Sequence, residues 1–267
     1  MKRRALAAYV EGVGLIAPGL PDWSSARAVF TRRASYCAAR SLLPAPDSLP
    51  PAERRRASRL VKLALGVAAQ AVADAAVDAS SLTTVFSASG GDGDNCHSLC
   101  ETLASADRQI SPTRFHNSVH NAAAGYWSIA SGAHGPCQVL CGFDASFAMG
   151  LLEALVQIGT GAPRVMLVVY DIEYPEPINS ARPILDAGGI ALVLAALPSA
   201  RAVAHVTGTL GEAEFTSMGD RELERQRLGN PALRGLPLLE ALARKGSAAV
   251  ALEYLAPLAL VVEVAPC

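Results

Sequence analysis

The chain has no surplus charge of either sign: 23 Lys and Arg stand against 24 Asp and Glu over 267 residues, a formal net charge of −1. Such a balance gives no overall field to gather nucleic acid or an anionic membrane, so small molecules and other proteins are the expected partners. Aromatic residues make up only 5%, too few for platforms on which bases stack. No run of 18 or more apolar residues occurs, so no ordinary membrane span is expected, and the expected location is the cytoplasm. The six cysteines, Cys37, Cys96, Cys100, Cys137, Cys141 and Cys267, lack the dense spacing of a small stapled scaffold. Free thiols in a reducing compartment are expected. Nor do they space like a zinc knuckle: the pairs Cys96/Cys100 and Cys137/Cys141 each enclose three residues where two are usual, so no metal is expected. Both pairs read as small buried hydrophobes, one on a helix face and one on a strand face.

What is present is apolar. Hydrophobic residues make up 51% of the chain, enough for one large core. The start, MKRRALAAYVEGVGLIAPG, imitates a leader, but Glu11 splits the run and Gly12, Gly14 and Pro18 follow at once, which predicts a strand entering a turn. From Ala52 to Ala79 the positions of Leu60, Leu63, Ala64, Val67, Ala71 and Ala75 predict one long amphipathic helix. Arg54, Arg55, Arg56 and Arg59 fall in its first turns, as a solvated face or as a dock for an acidic carrier. TTVFSAS predicts a short strand, and GGDGDN a turn. A phosphate cradle there is disfavoured by Asp92 and Asp94 and by the missing Lys-Ser/Thr. Asn121 precedes a small-residue helix in which Gly125 permits close packing. RVMLVVYD reads as a buried strand of the parallel type, and DAGGIALVLAAL, after a Pro-rich loop, as a second, glycine-led strand. Beyond Ala202 come a strand (AVAHVTGTL), a charged helical stretch at 221–227, a helix at 236–244 and two final strand-like runs. Alternation of helices and strands throughout predicts an α/β layered fold.

The stretch VLCGFDASFAMGLLEAL, Val139 to Leu155, carries the chemical question. An apolar strand meets a tight turn and then a helix, an arrangement that presents a nucleophile at a helix mouth. Cys141 is the obvious candidate, with Cys137 behind it, yet its place within the strand predicts a thiol pointing into packing.

Four ordered motifs carry a family resemblance. GVGLIAP resembles the opening strand of β-ketoacyl synthases of the thiolase fold, and ISPTRFHNSVHNAAAGYWSIASGAHGP resembles their segment ending in an Asn-x-x-(Ala/Ser)-Gly helix and a Gly-Pro turn. GTGAPRVMLVVYD and DAGGIALVLAAL are similar to the two strands that follow the active-site helix in that family. Phe115 to Ile129 nearly reproduces a pattern of short, chain-length-factor-like ketosynthases of aryl polyene and related type II pathways. The resemblance implies a layered α/β/α fold with a mixed central sheet. It further implies a ketosynthase N-terminal-like region over 1–200 and a reduced C-terminal region over 201–267 within one unit.

Under that resemblance the family's nucleophilic cysteine lies eight residues after the Gly-Pro proline. Eight after Pro136 is Asp144, and seventeen before Gly161 is the same residue. A thioester-forming nucleophile must be an ionisable thiol, whereas a carboxylate there would give an unstable mixed anhydride and repel a malonyl group. Asp144 is therefore expected to cap the following helix, its side chain accepting from amides two or three residues on. The family's C-terminal histidine motifs are absent too. The five histidines are His97, His116, His120, His134 and His205, and none follows His205. The resemblance thus implies a non-catalytic subunit, without cofactor, that pairs with an active ketosynthase in a heterodimer or heterotetramer and meets an acyl carrier protein. By register Thr113, Arg114, Phe115, His116 and Asn121 would face the partner. Phe115, and Arg114 second, would either gate the acyl tunnel or simply pack in the interface. The alternative is a stand-alone acyltransferase or decarboxylase using Cys141.

Overall fold

The computed structural model describes residues 6–267, so the basic cluster at the start lies outside the described residues. In chain order the elements are β1 (Leu6–Ile16), α1 (Trp23–Phe30), α2 (Pro51–Arg56), α3 (Arg59–Ala75), β2 (Thr83–Ala88), α4 (Gly93–Ala104), α5 (Pro112–Ser118) and α6 (Ala122–Ser131). They continue with β3 (Cys137–Cys141), α7 (Ser146–Gly159), β4 (Arg164–Asp171), α8 (Ile178–Ala181), β5 (Gly188–Ala195), β6 (Ala204–Glu212), α9 (Arg221–Gly229), α10 (Leu236–Arg244), β7 (Ala248–Glu253) and β8 (Leu258–Pro266).

The strands form one eight-stranded sheet in the order β3-β2-β4-β5-β1-β6-β8-β7. It is mixed: β2 runs parallel to β3 and β4, while the remaining pairs are antiparallel. Side chains alternate along each strand, and here both faces are covered. Val165, Leu167 and Val169 of β4 join the core beneath α1, α7 and α10, while Met166, Val168 and Tyr170 join the core beneath α3 and α6. Helices on both sides account for the near-continuous apolar runs of β4 and β5, since neither face of those strands meets water. The layered α/β/α architecture expected from the sequence is the observed one.

α3 lies directly on β1. A Cβ on Gly12 or Gly14 would run into the carbonyl oxygens of Ala71 and Val67, so the two glycines set the approach of helix to sheet. β6 pairs with β1 only over Leu6–Val10. Further along β1, the Val13 and Leu15 N–H groups donate instead to Asp74 Oδ2 and Gln70 Oε1 of α3, each at 3.0 Å. Buried backbone donors left over from the short β6 are thereby satisfied.

Three expectations change. The single helix foreseen over 52–79 is two: Ala57 is extended and Ser58 caps α3 by accepting from the Val61 N–H. A serine offered two residues after an arginine run stops one helix and starts the next. GGDGDN is a loop only in part, because Asp92 accepts from the Asn95 N–H and α4 begins at Gly93. The cysteines are not small buried hydrophobes: all six are free thiols and exposed.

The two ends of the sheet differ. The β3 edge pairs with β2 on one side and, among the described residues, with no strand on the other. At the β7 edge, Thr216 covers the middle of the strand: its N–H donates to the Ala251 carbonyl and its hydroxyl accepts from the Ala251 N–H, both at 2.9 Å.

Candidate functional site at the β3 elbow

β3 ends at Cys141, and a single 3-10 turn, Phe143–Ala145, leads into α7. Phe143 holds a φ of 53°, in the left-handed region that a bulky residue rarely adopts. Ser146 knits the bend: its hydroxyl donates to the Phe143 carbonyl at 2.7 Å and accepts from the Gly142 N–H at 3.2 Å. The Ser87 hydroxyl of β2 donates to the Ser146 carbonyl at 2.8 Å, which ties the elbow to the sheet. A non-glycine residue in this conformation, over-determined by its surroundings, is the usual condition of a functional turn.

Asp144 does not cap α7. The N-cap position is Ala145 and carries no side-chain cap, while Asp144 Oδ1 accepts from Arg182 Nη2 at 2.9 Å. The guanidinium of Arg182, just past α8, also lies 3.3 Å from the centroid of the Phe143 ring. A charged, planar donor with an aromatic face beside it is a stronger partner for a carboxylate than neutral amides, which explains the changed allegiance. Phe143 is left 57% exposed at the surface of the elbow.

Cys141 also departs from expectation. It is exposed, and its S–H donates to the Ser89 carbonyl at 3.1 Å. Its place at the last position of an edge strand leaves it without the packing foreseen. A carbonyl oxygen cannot take up a proton, so this partner does not activate the thiol as a base would.

Behind the elbow sits a buried carboxyl that sequence reasoning missed. Asp171, the last residue of β4, accepts from the Ser89 N–H at 2.9 Å and the Ser89 hydroxyl at 2.7 Å. Burial pushes its pKa up to about 7, against the pull of the Ser89 donors and the nearby Arg182 charge; Asp144 adds repulsion. Asn230 bridges the same region by donating to the carbonyls of Asp171 and Asp186 at 3.1 and 2.8 Å. Three loops thus converge on the C-terminal ends of the parallel strands β2, β3 and β4. In the sequence, Asp171 looked like the end of an apolar strand, and Arg182 like one residue of a Pro-rich loop. Only an acid closing a run buried on both faces could have hinted at a site.

The second group of foreseen residues lies on α5 and α6. Thr113, Arg114, Phe115 and His116 are all exposed, Phe115 at 60%. Arg114 Nη1 donates to the Ser98 hydroxyl of α4 at 2.9 Å, and His116 sits edge-on to Tyr126 with ring centroids 5.7 Å apart. Asn121 is the N-cap residue of α6 but makes no side-chain cap bond. The space where a Cβ on Gly125 would project is open among the described residues, contrary to the close packing foreseen. Val119 and Ile129 are also exposed, at 42% and 49%. Between these helices and Asp144 no hydrogen bond or ion pair occurs among the described residues.

The arginines weighed as a carrier dock are largely committed. Arg54 pairs with Asp47, Arg56 with Glu53 and Arg59 with Glu173. No helix among the described residues is long and apolar enough to cross a membrane.

Comparison with known proteins gives these features a context. The family model described as "Beta-ketoacyl synthase, N-terminal domain" matches residues 27–252. No curated protein sequence matches the chain. Among solved structures, a chain of the ketosynthase ApeO in complex with its chain length factor ApeC from Xenorhabdus doucetiae is 21% identical. It superposes with a TM-score of 0.72 over 96% of this chain and 99% of that one. The ishigamide ketosynthase/chain length factor gives 15% identity and a TM-score of 0.74, over 97% and 99%. The complex AntDE:AntF, a type II polyketide synthase acyl-carrier protein with its ketosynthase bound to the hexaketide, gives 11% and 0.73, over 98% and 99%. Single β-ketoacyl synthase chains of the same fold are longer, and the match covers only 46–70% of their length. The fold is thiolase-like and shortened, and the chain belongs to the β-ketoacyl synthase family, matching its N-terminal domain over most of its length.

Proposed function

We infer that this chain is a non-catalytic, chain-length-factor-like subunit that pairs with an active β-ketoacyl-ACP synthase and shapes its acyl tunnel. The observation that carries the reading is the elbow: where the family resemblance calls for a thiol, a carboxylate stands, and it is bound to Arg182. A carboxylate in an ion pair is a poor acyl acceptor, and a neighbouring cation shared with it is not free to activate a second group. The partner is recruited along the open β3 edge and the adjoining face of α5 and α6, where Phe115, Val119 and Ile129 are exposed and Gly125 has room for a close approach. An uncovered apolar patch beside an unpaired strand is a surface made for another chain.

Residues 1–200 in this reading act as the ketosynthase N-terminal-like region, with 201–267 as its reduced C-terminal counterpart. The assembly is a heterodimer or heterotetramer in the cytoplasm, it receives substrates from an acyl carrier protein, and it serves an aryl polyene or related polyketide pathway. By analogy, the description of the ApeO complex supports the pairing of a ketosynthase with a chain length factor, and that of AntDE:AntF the acyl carrier protein and the polyketide class.

Co-expression with the cognate ketosynthase followed by size-exclusion chromatography tests the pairing. The two chains should coelute, and Gly125→Leu should separate them while leaving this chain folded, because the side chain projects into open space and leucine favours helix over glycine by roughly 0.5–1 kcal/mol. A stable lone monomer, or a Gly125→Leu chain that still coelutes, contradicts the proposal. The exposure of Cys141 keeps one competing reading in view, an acyltransferase acting through that thiol. Acyl transfer by the isolated chain, lost on Cys141→Ser, would favour it.

A further inference from the structure

On the α1 and α10 side of the sheet, a cleft of about 430 Å³ opens where the C-terminal ends of these two helices meet. Arg27, in the last turn of α1, lines it with Arg33, Arg244, Lys245 and the hydroxyl residues Ser24 and Thr31; the remaining lining residues are alanines. Four of these side chains are cations, and none is acidic. Arg244 pairs with Glu240 at 2.6 Å, whereas Arg27, Arg33 and Lys245 make no ion pair among the described residues.

Helix dipoles explain part of this clustering. Each helix C-terminus acts as about half a negative charge, so the two ends together offset about one of the three unmatched cations. The acids nearest these cations, Asp22 and Asp74 near Arg27 and Glu11 and Asp74 near Lys245, line other cavities, so within the cleft itself about two positive charges remain. That remainder matches a phosphate monoester, which carries about −1.5 to −2 at neutral pH. The backbone that carries the cations is fixed. Arg32 turns the chain with a φ of 58°, the Arg33 and Ala34 N–H groups both donate to the Ala28 carbonyl, and Lys245 closes α10 with a φ of 54°. Backbone fixed before binding lowers the ordering that a ligand must impose.

A second cavity of about 500 Å³ adjoins the cleft and shares Arg33 and Arg244. Val29, Phe30 and Leu223 give it apolar walls, and Asp220 and Glu240 give it acid. Its two acids face Arg32, Arg33 and Arg244, whereas the first cleft holds no acid, so a phosphate belongs in the first cleft and the second suits an organic group of little net charge. Both volumes fall in the range of small-molecule sites.

We propose that the cleft between α1 and α10 binds the phosphate of a small phosphate monoester, whose organic part occupies the adjoining cavity. The assignment is independent of the pairing with a ketosynthase.

Calorimetric titration of the full chain, alone or copurified with its partner, tests it with two probes at constant ionic strength, inorganic phosphate and glycerol 3-phosphate. Both should bind, the ester more tightly, and Arg33→Gln and Lys245→Gln should each weaken binding by tenfold or more. Arg108→Gln, on an exposed residue outside the cleft, should bind like the parent. The substituted side chains are exposed, so folding should persist. Circular dichroism checks this, and Arg27→Gln gives an independent measure if either variant misfolds. Equal affinity for the two probes removes the ester and leaves a free-phosphate site. No saturable binding of either probe at millimolar concentration, affinities unchanged in the cleft variants, or a response to an acidic protein alone overturns the proposal.

Discussion

Arg182 holds Asp144 through a 2.9 Å ion pair and covers the ring of the preceding Phe143 from 3.3 Å, so a single side chain governs two consecutive residues of the elbow. The side chains of Arg182 and Asp144 keep 24% and 34% of their exposure. Water therefore screens the pair in part, and its worth is that of a well-formed surface bridge rather than a dry one. What the arrangement supplies is position: the left-handed Phe143 and the carboxylate are fixed together where the chain turns from sheet to helix.

Arg182→Ala should lower stability by about 1.5–2 kcal/mol, summing roughly 1 for the partly exposed pair with 0.5–1 for the cation over the ring. Urea denaturation measures it. Arg182→Lys should recover the charge but not the planar stacking face, and so fall between the two. A variant as stable as the parent would show that the elbow holds its shape without this side chain.

Asp171 should make the protein lose stability as pH rises through the acid range. Its pKa is about 7 in the folded chain against an ordinary value of 3.8, so between those values the native state binds more protons than the unfolded state. The unfolding free energy then falls with rising pH across that window and levels off above it. Asp171→Asn keeps an acceptor for the Ser89 donors and removes the titration. It should flatten the curve and, near pH 8, exceed the parent by an amount on the order of a few kcal/mol. Parallel curves for the two proteins, from urea midpoints between about pH 5 and 8, would show that this carboxyl is ionised at little penalty.

Phe115 is a large apolar side chain, 60% exposed on α5, and its effect is expected only once a partner covers it. In the complex, Phe115→Ala should lengthen or broaden the product distribution while turnover continues, since each methylene of fit in an apolar pocket is worth roughly 1–3 kcal/mol. Mass spectrometry of the released chains reads this out. Unaltered lengths would reduce Phe115 to an interface contact.

The strands and the layers were legible because burial on both faces writes itself into β4 and β5 as unbroken apolar runs, and amphipathic spacing marks α3 and α10. Boundaries were harder where one side chain decides them: Ser58 divides α2 from α3 through one hydrogen bond to Val61. Cysteine misled, because its usual burial assumes an interior position, whereas Cys137 and Cys141 sit on an edge strand. Family spacing pointed to Asp144, but the partner its carboxylate takes was not legible. Arg182 lies 38 residues away, brought in by a loop that carries no periodicity, so a local cap looked like the natural use of the acid. Asp171 stayed hidden for a related reason, since its role depends on Ser89, 82 residues earlier.

Thr216, bonded to Ala251 along the outermost strand, bears on which rim of the sheet is open to a second chain. A sheet that could be extended from both rims would let copies add head to tail without limit, the route to fibres. With Ala251 on that rim already bonded to the chain's own loop, the opposite rim, along β3, is the more open of the two to a companion strand.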